Sequence, residues 1–373
     1  MSVFIGYPSF MAYQMMKGKK DNNDGFPSIP GMIARYSALG LTNEQMAANP
    51  VWVDKTGNGH DLQMKNFAWG GMSGVNGYVQ NFNYFRNNTT VDKVRIDEQS
   101  SNSIKVTLLT PGMGHAIYIP KDIYQFNKSY FIKISSEGYN EGDLFLSFYA
   151  PSTSTATTVK VPLNPNGITE IPAIKEDDFL AVYLFNAAGN KVGSITIEQL
   201  PLYPGALVFD GVDDYGTCDN FPILTKEKGY TVVALRSYLA ESIGYLVYNG
   251  TSAKQSAFAF ERSDSLDTWS WGINSSIRNS LPKLMSYQTS NSYNNNPIST
   301  GEVVESNNII NVAYGGGYCN VAIWEIVILD HDATEEELTK IKDYFVKTYP
   351  WPFSRPGMDS GRQNQRGRRL SGY

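Results

Sequence analysis

An apolar run that leads directly into an Asp-Gly turn, at residues 205–215, constrains the fold of this chain most strongly. The run ends at Asp210 and Gly211, and the chain leaves the turn through Tyr215. Asp-Gly between apolar segments is a strong signal for a β-hairpin. A second apolar run, at residues 320–329, is interpreted as another strand. Together these segments predict a β-sandwich.

Composition favours an all-β chain of two folded units. The 373 residues exceed the roughly 100–200 residues that one sandwich needs. Charged residues make up only 18% of the chain, whereas 24 Tyr, 18 Phe, 33 Gly and 18 Pro suit short strands joined by tight turns. The net charge of −5 argues against a main body that binds nucleic acid.

A separate series of alternating runs lies between residues 90 and 202. Period-2 alternation with Gly, Pro and Asn between the runs is typical of half-buried antiparallel strands. We interpret this series as a smaller β-sandwich inserted into the first, because the flanking pieces together have the size of one domain. The expected organisation is an N-terminal arm at 1–30, a discontinuous sandwich at 31–86 and 204–353, an inserted sandwich at 87–203 and an Arg-rich tail at 354–373.

One helix is expected near the C-terminal end. Thr334 is placed as its N-cap, and Glu337 three residues later completes a capping box. Leu338, Ile341 and Phe345 then fall on one face of the helix.

A third motif, Trp-Val-Asp-Lys-Thr-Gly-Asn-Gly-His-Asp-Leu, occupies residues 52–62. With the segments at 205–215 and 320–329, it resembles laminin-G-like domains of the concanavalin A-like lectin/glucanase superfamily, as found in virion proteins of phages and prophages of gut Bacteroidetes. The resemblance covers only the two outer pieces of the chain. It implies a jelly-roll sandwich and a virion setting, but this superfold carries sugar binders, glycan hydrolases and scaffolds alike.

Residues 1–30 and 354–373 have compositions typical of extended terminal arms, which do not bury a core of their own. The N-terminal arm is rich in aromatic residues, and it either packs on the sandwich or docks onto another subunit. The Arg-rich tail is expected to bind an acidic protein surface, with nucleic acid as the alternative and an idle tail as a third interpretation. The partner-binding candidates are Phe4, Tyr7, Phe10, Arg362, Arg366, Arg368 and Arg369.

The sequence gives little evidence of the compartment in which the protein is made. The N-terminus lacks the features of a secretory signal, and no apolar run approaches the roughly 18 residues of a membrane span. Cys218 and Cys319 are too few for a disulfide framework. We therefore expect synthesis in a reducing cytoplasm and no membrane partner, while the resemblance implies that this is a bacterial cytoplasm and that the protein assembles into a virion.

The sequence predicts no catalytic residue. Glycan hydrolases of this fold carry two carboxylates on alternating positions of one strand, in a Glu-x-Asp-x-x-Glu pattern that does not occur here. The acidic clusters at 213–214, 261–264 and 330–332 are expected to be solvated turns and caps. The three histidines also lie in turn-like contexts, outside metal-binding or triad motifs.

Calcium is the one cofactor that the sequence leaves open. Several laminin-G-like relatives bind calcium at the rim of the sandwich, and the resemblance points to Asp210, Asp213 and Asp214. The same Asp-Gly pair is also an ordinary turn dipeptide. No other cofactor is expected.

Sugar binding would require aromatic platforms with nearby amide partners. Trp269 and Trp271 are predicted to share one face of a strand, which is either the core or a sugar-binding surface. Asn294 and Asn295 lie in an Asn-rich loop that could contact a glycan or be solvated.

These observations favour a non-enzymatic structural protein of a bacteriophage virion, in the head decoration, the tail or a fibre. Terminal arms would anchor it to neighbouring subunits or to copies of itself. One alternative is a lectin that recognises a host surface polysaccharide. A second alternative is a divergent glycoside hydrolase.

Overall fold

The chain folds into two compact units. The structure is a computed structural model, and it describes residues 24–87, 93–111, 117–150, 157–177, 179–186, 191–250, 256–262, 267–276 and 284–349. The inserted sandwich comprises Gly70–Met72 and Gly77–Leu202, and the discontinuous sandwich comprises the rest of the described chain. Among the described residues, no helix is both long and apolar enough to cross a membrane.

The discontinuous sandwich contains two antiparallel sheets of eight strands each, numbered along the chain. The inner sheet contains β1 (Met32–Ser37), β4 (Gly74–Val75), β15 (Leu207–Asp210), β17 (Thr231–Tyr238), β22 (Met285–Thr289), β23 (Ser292–Tyr293), β24 (Asn296–Pro297) and β26 (Asn320–Leu329). The cleft sheet contains β2 (Val51–Trp52), β3 (Leu62–Lys65), β16 (Tyr215–Cys218), β18 (Tyr245–Asn249), β19 (Phe258–Arg262), β20 (Asp267–Ser270), β21 (Ile273–Ser276) and β25 (Ile310–Val312).

Strand order in both sheets departs from chain order. The inner sheet runs β24-β23-β22-β17-β26-β15-β4, with β1 also paired to β26. The cleft sheet runs β2-β3-β16-β25-β18-β19-β20-β21. One hydrophobic core takes fully buried residues from both sheets, among them Leu207, Val232 and Ile323 from the inner sheet and Leu62, Phe258 and Val312 from the cleft sheet. The shared core makes the pair of sheets a sandwich.

The inserted sandwich has two antiparallel sheets of five strands. One contains β5 (Arg86–Asn87), β8 (Ile117–Pro120), β10 (Leu144–Tyr149), β11 (Val159–Leu163) and β13 (Ala181–Asn186). The other contains β6 (Val94–Gln99), β7 (Ser103–Leu108), β9 (Tyr130–Ser136), β12 (Ile168–Ile171) and β14 (Gly193–Gln199). The main segment of this unit begins at Gly77, whereas the sequence suggested residue 87, because Val79, Phe82 and Phe85 belong to its core.

Helices are short, apart from one near the end. Helix α1 spans Asn43–Ala48, a 3₁₀ turn spans Phe82–Tyr84, and helix α2 spans Glu335–Thr348. Thr334 caps α2 and forms the predicted capping box with Glu337. The predicted all-β sandwich with a C-terminal helix is therefore confirmed.

Hydrogen bonds from its own side chains hold the motif at 52–62 as a loop. The Asp54 carboxylate accepts hydrogen bonds from the backbone N–H groups of Arg35 and Thr56, both at 3.0 Å, and from the Thr56 hydroxyl. Asp61 in turn accepts from the N–H of Asp54 at 2.8 Å. These contacts fix the chain between β2 and β3.

Candidate functional site

A row of side chains crosses five neighbouring strands on the outer face of the cleft sheet. Thr217 of β16 pairs with Asn311 of β25, which pairs with Tyr248 of β18. Tyr248 pairs with Ala259 of β19, which pairs with Trp269 of β20. Side chains alternate along a strand, so the residues next to this row point into the core. Those core residues include Ile310, Val312, Phe258 and Phe260.

Three tyrosines stand together at one end of the row. The ring of Tyr215 lies 5.2 Å from the ring of Tyr314 and 6.2 Å from that of Tyr318. The rings of Tyr314 and Tyr318 are 5.4 Å apart. These centroid distances are typical of attractive aromatic contacts, so the three rings form one apolar wall.

A second pair of tyrosines continues this wall. Tyr245 and Tyr248, from the same strand, stack with centroids 6.0 Å apart and ring planes at 25°. Gly315 lets Tyr245 lie against the neighbouring loop, since a Cβ atom at Gly315 would come within 2.8 Å of the Tyr245 ring. Gly315 also adopts a φ of +148°, which disfavours other residues.

These residues line a cleft of about 630 Å³. Its size falls in the range of small-molecule sites, roughly 300–1,000 Å³. Burial raises the pKa of Tyr248 and outweighs the opposing hydrogen bond with Ser256, so the phenol is neutral at physiological pH. The lining comprises Tyr215, Thr217, Asp219, Tyr245, Tyr248, Gly250, Ala259, Trp269, Ile309, Asn311, Tyr314, Gly315, Gly316 and Tyr318.

Trp269 closes the other end of the row. Its side chain is half-buried, and its buried Nε1 has no hydrogen-bond partner within the described structure. Its carbonyl group accepts a hydrogen bond from Gln288 at 2.8 Å, which fixes the backbone. A buried donor without an acceptor costs about 1–3 kcal/mol. Because Nε1 is buried, only the accessible part of the ring is available to a ligand.

Trp271 does not share the face of Trp269, so that prediction is wrong. The strand ends at Ser270, and Trp271 adopts a left-handed φ of +48° in the following turn. Its ring is 1% exposed and packs edge-on against Tyr230, with centroids 5.6 Å apart. The turn breaks the period of two, and Trp271 belongs to the core.

Asn294 and Asn295 lie outside the cleft lining. Both have positive φ angles, 45° and 66°, in the turn between β23 and β24. The Asn294 side chain accepts a hydrogen bond from the N–H of Tyr287 at 2.9 Å. The structure thus gives Asn294 a role in shaping a hairpin.

The carboxylates of Asp210, Asp213 and Asp214 lie within 4.8 Å of one another. Asp214 is fully buried, which corrects the expectation of a solvated turn, and accepts hydrogen bonds from the N–H of Asp210 and the hydroxyl of Ser73, both at 3.0 Å. Desolvation is the main cause that raises its pKa to about 7. Calcium takes roughly six to eight oxygen ligands, and these hydrogen bonds already occupy oxygens of the group. The arrangement fits a hydrogen-bonded turn better than a calcium shell.

The acidic clusters at 261–264 and 330–332 are structural where they are described. Glu261 is fully buried, not in a solvated turn as predicted, and accepts hydrogen bonds from Arg236 and Tyr293. Asp332 accepts from the N–H of Ser290 at 2.8 Å. Among the described residues of the cleft lining, Asp219 is the one carboxylate.

The partner-binding candidates in both arms lie outside the described residues. They are Phe4, Tyr7, Phe10, Arg362, Arg366, Arg368 and Arg369.

The sequence interpretation missed the cleft tyrosines. They come from two strands and from the loop before β26. No shared local pattern marks them: Tyr248, for example, lies between the apolar Val247 and the polar Asn249. The pairing of distant strands brings them together.

Comparisons with known proteins give distant similarities. No protein family and no curated protein matches the sequence. Similar solved structures include the full extracellular region of zebrafish Gpr126/Adgrg6, at 12% identity over 64% of this chain and 37% of that chain, with a TM-score of 0.25. A Trypanosoma rangeli sialidase in complex with sialic acid matches at 9% identity over 68% and 62%, with a TM-score of 0.24. A tandem CBM22 domain from Paenibacillus barcinonensis Xyn10C matches at 10% identity over 73% and 96%, with a TM-score of 0.22.

This chain thus spans less than two thirds of the length of the first two structures. At these TM-scores the likeness carries no argument about this chain's function.

Proposed function

We propose that this protein binds carbohydrate in the aromatic cleft of the discontinuous sandwich. The observation that carries the proposal is the row of Asn311, Tyr248 and Trp269 on one sheet face, beside the wall of tyrosines. Flat aromatic rings pack against the apolar face of a sugar ring, while amide and hydroxyl groups pair with its hydroxyls. The cleft offers both kinds of group.

The polar groups of the cleft are suited to a hydroxylated ligand. Thr217 and Asn311 lie opposite each other on neighbouring strands, and Asp219 follows at the end of β16. Their side chains can donate to and accept from hydroxyl groups. A purely apolar ligand would leave these groups without partners, at a cost in affinity.

A glycan array followed by calorimetric titration tests the proposal. Tyr248→Ala should weaken the binding of any array-positive glycan at least tenfold, since truncating a central aromatic anchor of a binding site costs about 2 kcal/mol or more. Tyr84→Ala is the matched control, because Tyr84 is 43% exposed and lies in the inserted sandwich. Equal affinity of the two variants, with both folded, would contradict the proposal.

Hydrolysis is not part of the proposed function. Glycosidases of the common type need two carboxyl groups, at about 5 Å or about 6.5–9.5 Å from each other. The support is that Asp219 is the one carboxylate in the described part of the lining. We expect no release of reducing ends from a bound glycan. Release that Asp219→Asn abolishes would favour the glycoside hydrolase instead.

A structural role in a bacteriophage virion remains a compatible proposal, with synthesis in the bacterial cytoplasm. It is supported by the family resemblance and by the composition of the two arms. Deletion of residues 354–373 should prevent incorporation into particles, while the sandwiches stay folded. Normal incorporation of chains lacking either arm would overturn this proposal and leave carbohydrate binding untouched.

A further inference from the structure

We propose that the cleft binds an uncharged oligosaccharide that runs across the strands, with one sugar ring on Tyr248 and another on Trp269. This inference rests on the proposed carbohydrate-binding function. It concerns the size, direction and charge of the ligand, which the overall function leaves open.

Strand spacing sets the separation of the two platforms. Tyr248 pairs with Ala259, and Ala259 pairs with Trp269, so two strand spacings separate the aromatic residues. At about 4.8 Å per spacing, the platforms are about 10 Å apart. A single sugar ring stacked on one platform does not reach the other, so occupying both requires linked rings.

Ala259 forms the floor between the platforms. It is 1% exposed and is the member of the row with the smallest side chain. The row therefore carries no large side chain between Tyr248 and Trp269, which leaves room for the part of the ligand that joins the two stacked rings. A chain lying along the row runs perpendicular to the strands, because paired residues face each other in that direction.

Trp269 offers the second platform at this end. Its side chain is half-buried and contributes to the lining of the cleft. Its Nε1 atom is buried, so a sugar would meet the accessible part of the ring and not this donor. A ligand confined to the tyrosine end would leave this platform uncovered.

The charge of the lining favours a neutral ligand. The described lining contains Asp219 but no Lys or Arg. Acidic sugars are recognised through Arg or Lys partners, and a carboxylate in the cleft would repel them. Uronic acid chains are therefore disfavoured.

The test uses length series of oligosaccharides, from one to six residues, of β-1,4-linked glucose, xylose and mannose, with oligogalacturonate as the acidic series. Affinity for at least one neutral series should rise at least tenfold between the monosaccharide and the longer members. Trp269→Ala should remove this rise, so that the longer members bind no more tightly than the shortest bound member. Trp269→Phe keeps a smaller ring, and it should lower the affinity for the longer members less than Trp269→Ala does, about fivefold.

Different results separate the inference from the function on which it rests. Loss of affinity by the same factor at every length in both Trp269 variants would overturn the two-platform arrangement, as would an unchanged length dependence. Binding of oligogalacturonate alone would overturn the neutral class. Absence of binding to all four series would overturn the inference. If the protein also bound no glycan on a broad array, the proposed function would be overturned too. Thermal unfolding of each variant shows whether it is folded, and Trp269→Phe preserves the test if the alanine variant is not.

Discussion

The two sandwiches differ in the polar groups that they bury. In the discontinuous sandwich, the described buried residues include charged side chains, namely Arg35, Asp54, Asp214, Arg236, Glu261 and Glu325. In the inserted sandwich, the described buried polar residues are neutral, namely Gln80, Ser101, Ser147 and Gln199. A buried charge is tolerated only with partners, so the discontinuous sandwich depends more strongly on specific contacts.

One buried ion pair links the two sheets of the discontinuous sandwich. Arg236 of β17 donates two hydrogen bonds to Glu261 of β19, at 2.8 and 2.7 Å. Tyr293 of β23 donates to the same carboxylate at 2.6 Å, and Arg236 also donates to Ser286 at 2.9 Å. The corresponding polar contact of the inserted sandwich is a pair of amides. Gln199 accepts from the N–H of Gln80 at 3.0 Å and donates to its carbonyl at 2.8 Å.

The largest effect is expected for Arg236→Met. Removing the guanidinium leaves the Glu261 carboxylate buried without its cation, which costs about 3–5 kcal/mol. The six tryptophans all lie outside the inserted sandwich, so their fluorescence reports on the discontinuous sandwich. Urea unfolding followed by fluorescence should show the loss. An unchanged midpoint would mean that the charged network is not what holds the two sheets together.

The double change Arg236→Met and Glu261→Leu is the matched control. It removes both charges and should recover part of the lost stability, because no uncompensated charge remains.

The second largest effect is a pH dependence of the free energy of unfolding, which is expected for the discontinuous sandwich because it contains Asp214. The folded-state pKa of Asp214 is about 7, above its ordinary value of 3.8, chiefly because of desolvation. Between these values the folded state holds a proton that the unfolded chain has lost, so the free energy of unfolding falls as pH rises from about 4 to about 7. The expected loss is roughly 2–4 kcal/mol. Fluorescence-detected unfolding across this range measures it.

Asp214→Asn is the control for that profile. The amide keeps the shape of the turn but does not ionise, so the slope assigned to Asp214 should disappear. Burial also raises the pKa of Glu325 in the same sandwich to about 7, so a smaller slope should remain in this variant. An unchanged slope would assign the whole effect to a group other than Asp214.

A smaller effect is expected for Gln199→Leu in the inserted sandwich. It leaves the N–H and carbonyl of Gln80 without these partners, at about 1–3 kcal/mol. Circular dichroism should report the destabilisation, while the tryptophan signal should keep its wild-type midpoint. A loss as large as that of Arg236→Met would contradict the distinction between charged and neutral interiors.

The sequence predicted local features better than the cleft. The capping box of Thr334 and Glu337 involves only four consecutive residues, so it can be recognised from the local sequence. The strand at Asn320–Leu329 is a mostly apolar run and can be recognised in the same way. The cleft depends on β25 inserting between β16 and β18, although β25 follows both in the chain. Pairing over such distances leaves no local pattern, so Tyr248 and Asn311 could not be assigned to one site.

Trp271 shows a second limit of periodicity. A period of two puts residues 269 and 271 on one face, but only while the strand continues. The φ of +48° at Trp271 ends the alternation one residue after Ser270, and Gly272 follows with a φ of +83°.

Adding calcium is expected to have the smallest effect on the stability of the discontinuous sandwich. Binding would have to compete with the hydrogen bonds that Asp214 accepts from the Asp210 N–H and from Ser73. It would also stabilise the ionised carboxyl group, so it would abolish the loss of stability with rising pH. We expect millimolar calcium to leave both the unfolding midpoint and its pH slope unchanged. Stabilisation above pH 7 that Asp213→Asn removes would instead establish calcium binding at the exposed side of this turn.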